Sequence, residues 1–216
     1  MEDIRGDETP ARLRLLATAE KMLGEEGFKG AALHKIAQAA GQKNKYAVQY
    51  HFGSLHGLIE AIFAVRLKWV GQRRSELFQC ARDRGLLDSL PALLETIFLP
   101  MAEQVDEQGR HTYARFWLQY MARPVEPEGD SAPNRRKRGP VEYVHAEIAR
   151  ILGEDDQAVS MRMHLIGSMI YWALIDRDNS RAMGWPVPPL DVTLSGTIKV
   201  METALRSPQW PPLAMP

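Results

Sequence analysis

The apolar residues of this chain recur at helical spacing along nearly its whole length, and this pattern constrains the fold more than any other feature. In the first such stretch Leu15, Ala19 and Leu23 fall on one face of a helix. No run of four to eight residues alternates between apolar and polar side chains as a half-buried strand would. The sequence therefore predicts an all-α protein.

Helix ends are marked by residues that cap helices. Thr9 and Pro10 form an N-cap and a first-turn proline, and Gly27 and Gly41 suit the left-handed residue that ends a helix. The predicted helices then run from residue 10 to Gly27 and over about 33–40, 44–50, 55–79, 86–104, 109–122, 140–153, 155–177 and 190–206.

Composition limits the compartment and the class of partner. The 27 basic and 27 acidic residues cancel, so net charge gives no argument for binding nucleic acid or a membrane. The single cysteine, Cys80, excludes an intramolecular disulfide. The N-terminus is polar and acidic, unlike a signal peptide, and the most apolar stretch, residues 161–175, is shorter than a membrane span. We therefore expect a cytoplasmic protein without a membrane partner.

Charge is distributed unevenly along the chain. From Lys29 to Ile59 there is no aspartate or glutamate. The same window holds four lysines and three histidines, and acidic residues resume at Glu60. A local basic surface on a neutral protein is what attraction to nucleic-acid phosphates requires.

Two short predicted helices, joined at Gly41 and preceded by a longer one, match the pattern of a helix-turn-helix. In that arrangement the second short helix protrudes to enter the major groove of DNA. Helical spacing turns Val48 inward, and Phe52 closes the core. The residues expected to face outward are Asn44, Lys45, Tyr46, Gln49 and Tyr50.

The segment from residue 15 to residue 58 resembles the N-terminal domain of the tetracycline-repressor (TetR) family, over about the first quarter of the chain. The matching residues are Leu15-Leu16 with Ala19, Gly27-Phe28, Ile36-Ala37, Ala40-Gly41, His51-Phe52, Ser54 and Leu58. The resemblance implies a DNA-binding domain over residues 1–54 and a helical dimerisation and ligand-sensing domain over residues 55–216.

The resemblance also implies a set of DNA contacts. Asn and Gln side chains pair with adenine edges, and Lys with guanine or phosphate. The candidate DNA-binding residues are Lys29, Ala32, Lys35, Lys43, Asn44, Lys45, Tyr46, Gln49, Tyr50 and His51. Two positions depart from the family pattern. Gln49 stands where the family has a phosphate-contacting tyrosine, and Leu55 stands where it commonly has a lysine.

The two last helices are the candidates for a homodimer interface. The helix over 155–177 is apolar on more than one side, which indicates burial on more than one side. The helix over 190–206 carries a second apolar series. A protein that reads two half-sites on double-stranded DNA needs such a two-fold contact. The resemblance implies a four-helix interface from these two helices of each partner, although burial within one chain explains the same pattern.

The middle of the chain is rich in methionine and aromatic residues, which line adaptable apolar cavities as well as ordinary cores. The resemblance implies an effector pocket there, for an unidentified small molecule. The candidate lining residues are Phe98, Met101, Tyr113, Phe116, Trp117, Tyr120, Met121, Met163 and Trp172, with Arg115, His164 and Asp176 as possible polar anchors. Ligand binding is then expected to move the long helix over 55–79 and so change the spacing of the two reading helices.

The sequence thus favours a DNA-binding transcriptional regulator, by family default a repressor, without catalytic residues, metal or cofactor. It contains none of the G-x-S-x-G, H-E-x-x-H or phosphate-loop motifs. An enzyme, or a protein-binding adaptor with a vestigial helix-turn-helix, remains open as an alternative. The basic run Arg135-Arg136-Lys137-Arg138 fits a solvated loop better than a further phosphate-binding patch.

Overall fold

The computed structural model describes residues 9–123 and 140–207. Within these residues every regular element is a helix, which confirms the all-α prediction. The helices are α1 (Pro10–Glu26), α2 (Leu33–Ala39), α3 (Ala47–Phe52), α4 (Leu55–Asp83), α5 (Leu90–Ala102), α6 (Thr112–Ala122), α7 (Pro140–Leu152), α8 (Asp156–Ala182) and α9 (Leu190–Arg206). The basic run at 135–138 lies outside the described residues.

Local sequence signals account for several helix ends. The Thr9 hydroxyl accepts a hydrogen bond from the Arg12 amide and caps α1, while Gly27 ends α1 at a φ of 79°. Asp155 caps α8 by accepting from two amides of its first turn. At each of these two N-termini the side-chain oxygen accepts from backbone amides that have no partner within the helix.

Five predicted boundaries were wrong by three to five residues: the start of α3, the end of α4, and the three described next. Helix α5 begins at Leu90, where the Ser89 hydroxyl accepts from the amide of Ala92, rather than at residue 86. Helix α6 begins at Thr112 instead of residue 109, because Gly109 adopts a φ of 72° in the preceding loop. Helix α8 continues to Ala182, since the first turn-forming glycine after it is Gly184.

The chain forms two compact units. The first comprises Met1–Gln72 and Met101–Lys137, and the second comprises Arg73–Pro100 and Arg138–Pro216. In the first unit α1 packs against α6 and α2, and α2 packs against α3. In the second unit α8 packs against α7 and α9. A functional boundary at residue 54 stays a prediction, and α6 belongs to the same unit as α1.

The core of the first unit is built on α1, α4 and α6. Leu15 and Leu23 of α1 and Phe63 of α4 are fully buried. Gly24 lets α1 approach α6 closely, because a Cβ there would lie 2.9 Å from the Phe116 backbone nitrogen. At Gly24 the backbones of α1 and α6 are therefore too close to leave room for a side chain between them.

Helix α8 is the one described helix whose length and composition would suit a membrane span. That test is weak evidence, because the core helix of a soluble protein also passes it. Ile170 and Leu174 of α8 are fully buried, whereas Asp176 is exposed.

Candidate nucleic-acid interface

Helix α3 divides its side chains between the interior and the solvent. Ala47 and Val48 are buried, as the spacing predicted for Val48, and Phe52 is half-buried at the end of the helix. The five residues predicted to face outward are all exposed, and we call them the exposed set: Asn44, Lys45, Tyr46, Gln49 and Tyr50. The segment therefore presents a polar and aromatic surface on a short, anchored support.

The helix itself is shorter than predicted. It begins at Ala47, not at residue 44. The Asn44 side chain accepts a hydrogen bond from the Tyr46 amide at 2.9 Å, and the Asn44 carbonyl accepts from Ala47 at 3.1 Å. This turn competes with helix formation, as asparagine side chains commonly do. Three members of the exposed set thus lie in a turn before α3, and two lie on α3.

The tyrosines are the most prominent members of the exposed set. Tyr50 is 82% exposed and Tyr46 is 59% exposed, which is unusual for large side chains in a folded unit. The Lys45 ammonium lies 5.0 Å from the centre of the Tyr46 ring, so a cation and an aromatic face are presented together. Tyr50 meets His51 edge to face at 5.1 Å.

The remaining predicted contacts lie nearby in the sequence and differ in exposure. Lys29, Lys35 and Lys43 are exposed. Ala32 is half-buried at the N-cap of α2 and makes no side-chain capping hydrogen bond. His51 is half-buried in the last turn of α3.

The acid-free window ends at a contact between a histidine and a glutamate. His56 and Glu60 lie one helical turn apart on α4, with Nε2 3.3 Å from Oε1. Both side chains are about half exposed, so the contact contributes little to stability. Glu60 is the first acidic residue after this window in the sequence.

Two features beside this surface have no role in the sequence-based prediction. The Arg12 guanidinium lies 5.0 Å from the ring centre of Phe52, which places a cation from α1 beside the end of α3. The Ser54 hydroxyl accepts a hydrogen bond from the Gly57 amide and caps α4. The Ser-x-x start of α4 could have been recognised from sequence, whereas the Arg12–Phe52 contact depends on tertiary packing.

The predicted effector-pocket residues divide between the two units. Tyr113, Phe116, Trp117 and Tyr120 of α6 surround Phe63 of α4, with ring centres 4.6 to 6.5 Å apart. Edge-to-face contacts of this kind are typical of a filled core.

The other candidates differ in exposure. Phe98, Met101 and Met163 are buried, whereas Met121 is 42% exposed and Trp172 is 62% exposed. Phe98 lies against Gly167 of α8, where an added Cβ would be 3.2 Å from its ring. The exposure of Met121 and Trp172 does not suit the lining of a closed cavity. The pocket as a whole stays a prediction.

The second unit buries titratable groups near Arg74 of α4. Burial raises the pKa of Tyr171 to about 12, against the opposing charge of Arg74, so its phenol stays neutral at physiological pH. Burial also lowers the pKa of His145, and Arg74 lowers it further, while Asp156 acts in the opposite direction. Arg74 itself donates to the Ile97 carbonyl at 3.1 Å.

Within residues 9–123 and 140–207, no group of three or more His, Cys, Asp or Glu side chains is arranged to hold a metal ion. No protein-family model and no curated protein matches this chain in sequence. The resemblance to the TetR family therefore rests on the residues quoted above and stays a prediction.

Proposed function

We propose that this protein is a DNA-binding transcriptional regulator of the TetR type, most simply a repressor, in which α2 and α3 act as a helix-turn-helix. The observation that carries the proposal is the exposed set. Five polar and aromatic side chains stand out from a short helix and its turn, while Ala47 and Val48 anchor that helix from below. A surface of this kind reads base edges and phosphates when it enters a major groove.

The electrostatics of the same region support the proposal. Lys29, Lys35, Lys43 and Lys45 are all exposed within the acid-free window. Their contacts with phosphates would release counterions and supply affinity that falls with salt. A protein-binding adaptor would not need a window of this length without a carboxylate.

Specific binding would require two copies of the chain. One small module contacts too few phosphates and bases to select a site, so such proteins pair and read half-sites about 34–36 Å apart. On α8 and α9 large apolar side chains remain exposed, and we call them the outer face: Met161, Leu165, Trp172, Val192 and Val200. Exposed apolar patches of this kind mark protein interfaces.

A glycine in α9 fits a close helix contact at the outer face. Gly196 lies one turn from both Val192 and Val200, and a Cβ there would meet nothing within 4 Å. Glycine inside a helix costs about 1 kcal/mol relative to alanine. A partner helix packed against Gly196 would explain why this cost is tolerated. The proposed interface is therefore formed by α8 and α9 of each copy.

Regulation by a small molecule is part of the proposal, and it rests on the resemblance. A ligand bound by the helices after residue 54 would shift α4 and alter the separation of the two copies of α3. The ligand changes DNA affinity only to the extent that it binds one arrangement of the two α3 copies more tightly than the other.

The proposal is tested by capturing genomic DNA fragments on the purified protein and measuring affinity for a retained fragment across salt concentrations. Lys45→Ala should weaken binding and reduce the salt slope by about 1. Lys68→Ala, which removes an exposed lysine of α4 outside the acid-free window, is the matched control and should change neither. The regulator hypothesis is wrong if no fragment is retained, or if the two variants behave alike.

A further inference from the structure

An ion pair between a buried carboxylate and a partly exposed guanidinium joins α1 to α4 in the first unit. Glu20 of α1 is only 2% exposed. Arg66 of α4 donates Nε to Glu20 Oε2 at 2.7 Å and Nη2 to Glu20 Oε1 at 2.8 Å. This two-pronged geometry fixes both the distance and the relative orientation of the two groups.

Two further side chains form hydrogen bonds with the Glu20–Arg66 pair. The Thr112 hydroxyl at the start of α6 donates to Glu20 Oε1 at 2.6 Å. Arg66 Nη1 donates to Gln104 Oε1 at 2.7 Å, just after α5. The guanidinium also lies 5.6 Å from the ring centre of Tyr113. Four segments of the first unit therefore meet at one carboxylate and one guanidinium.

The segment between Gln104 and Thr112 is itself held in a fixed shape. The Asp106 carboxylate accepts from the amides of Gln108 and Arg110, each at 2.9 Å. It also accepts from Arg110 Nε at 2.8 Å. Gln104 and Thr112 are thus presented to the ion pair from the two ends of a loop with its own internal hydrogen bonds.

A buried ion pair is a poor source of stability, because desolvating two charges offsets most of their attraction. Well-packed apolar residues of similar size often serve as well. Apolar residues, however, do not form hydrogen bonds of fixed direction as an ion pair does. The Glu20–Arg66 pair is therefore suited to fixing the angle of α1, and α1 in turn supports α2, which supports α3.

We propose that Glu20 and Arg66 are positioning residues that hold the α1–α3 assembly at the angle on α4 and α6 at which the exposed set meets DNA, with Thr112 and Gln104 orienting the pair. The inference rests on the proposed DNA-binding function. In this proposal the hydrogen bonds around Glu20 and Arg66 align the exposed set, in addition to any contribution they make to folding.

The test replaces the pair by apolar residues, so that no lone charge is left buried. The double variant Glu20→Leu with Arg66→Met is expected to fold. A second variant, Thr112→Val, removes only the hydroxyl that orients Glu20. The matched control is Glu154→Leu with Arg162→Met, which removes a half-buried pair from the second unit.

Alignment is measured as the distance distribution between spin labels at positions 50 and 119, both exposed and both in the first unit. The background carries Cys80→Ser, because Cys80 is exposed and would also be labelled. Labelled chains are diluted with unlabelled protein to suppress distances between copies. The distribution should broaden clearly in the double variant, broaden less in Thr112→Val, and stay unchanged in the control.

DNA affinity is measured on the unlabelled proteins with a fragment that the wild type retains. The double variant should bind it about tenfold more weakly, with affinity for unrelated DNA unchanged, because misalignment costs base contacts more than phosphate contacts. An unchanged label distribution, or a broadened one with unchanged DNA affinity, overturns the inference. If the wild type retains no DNA, the proposed function fails, and the labels alone decide whether the pair aligns α3.

Discussion

Gly57 shows how the absence of one side chain fixes the turn between α3 and α4. A Cβ at this position would lie 2.1 Å from the carbonyl oxygen of Phe52, well inside van der Waals contact. The Gly57 amide also donates to Ser54 Oγ at 3.1 Å. The end of α3 and the start of α4 therefore touch backbone to backbone, and only glycine permits this contact.

We predict that Gly57→Ala lowers the free energy of unfolding by about 1–3 kcal/mol, the usual cost of overpacking a tight contact. It should also weaken DNA binding, since the Phe52 end of α3 must move. Gly71→Ala in the same helix is the control, because an added Cβ there meets nothing within 4 Å. That change should be neutral or stabilise by up to about 1 kcal/mol in urea unfolding. Equal losses in both variants would contradict the prediction.

The side-chain directions around α3 were predicted correctly, but the first residue of the helix was not. Val48 is inside and the exposed set is outside, although Asn44, Lys45 and Tyr46 lie in a turn before the helix. The helix start was wrong because Asn44 forms a side-chain turn to Tyr46. Asparagine offers this alternative at many positions, and a single sequence does not reveal when it is taken.

The packing of α1 on α6 joins two helices that are far apart in the sequence. At Gly24 an added Cβ would lie 2.9 Å from the backbone nitrogen of Phe116 and 3.0 Å from Cβ of Arg115. Two helices approach this closely only where a small residue replaces a side chain. The orientation of α1 is thereby set by α6 as well as by its immediate neighbours.

Gly24→Ala should destabilise the protein by about 1–3 kcal/mol, even though alanine favours a helix more than glycine does. The reason is that the new methyl group meets backbone atoms of α6, which have no rotamer to change. Thermal unfolding followed by circular dichroism measures the effect. A rise in the melting temperature would mean that α1 and α6 separate easily, and would refute the close contact.

Element types were more predictable than the contacts between elements. End signals such as Thr9 and Gly27, with the apolar spacing, were sufficient to predict nine helices within residues 9–123 and 140–207. The Glu20–Arg66 pair was not predictable, because its members are 46 residues apart and each resembles an ordinary surface residue in sequence. The effector pocket stays a prediction, since aromatic spacing does not distinguish the core around Phe63 from a cavity.

Assembly into pairs is the property on which the proposed function most depends. We predict that Trp172→Glu converts a dimer into a monomer, since truncating a large aromatic anchor commonly costs about 2 kcal/mol or more. Tyr143→Glu on α7 is the control, because it places the same charge at another exposed aromatic residue. Sedimentation velocity measures the outcome. A wild-type chain that sediments as a monomer at all concentrations would exclude the interface.

Acid should destabilise the second unit through His145. Its pKa is lowered in the folded state by burial and by Arg74, so the unfolded chain binds more protons once the pH falls below about 6.5, the ordinary histidine value. The free energy of unfolding should therefore decline from pH 7.5 to pH 5.5. His145→Gln should make the decline shallower, while His164→Gln, at an exposed position, should change it less. A steeper decline in His145→Gln would contradict the attribution of the acid sensitivity to His145.

The joining of α1 to α6 has a consequence for engineering this protein. Splicing the first 54 residues of this chain onto the remainder of another chain of the same fold would leave α1 facing a foreign α6. The foreign α6 would not be shaped for the close contact at Gly24. Glu20 would keep its hydrogen bonds only if the foreign chain placed a hydroxyl and an arginine where Thr112 and Arg66 lie in this one. A transplant that carries residues 104–122 together with the first 72 would keep its own supports and should tolerate the exchange.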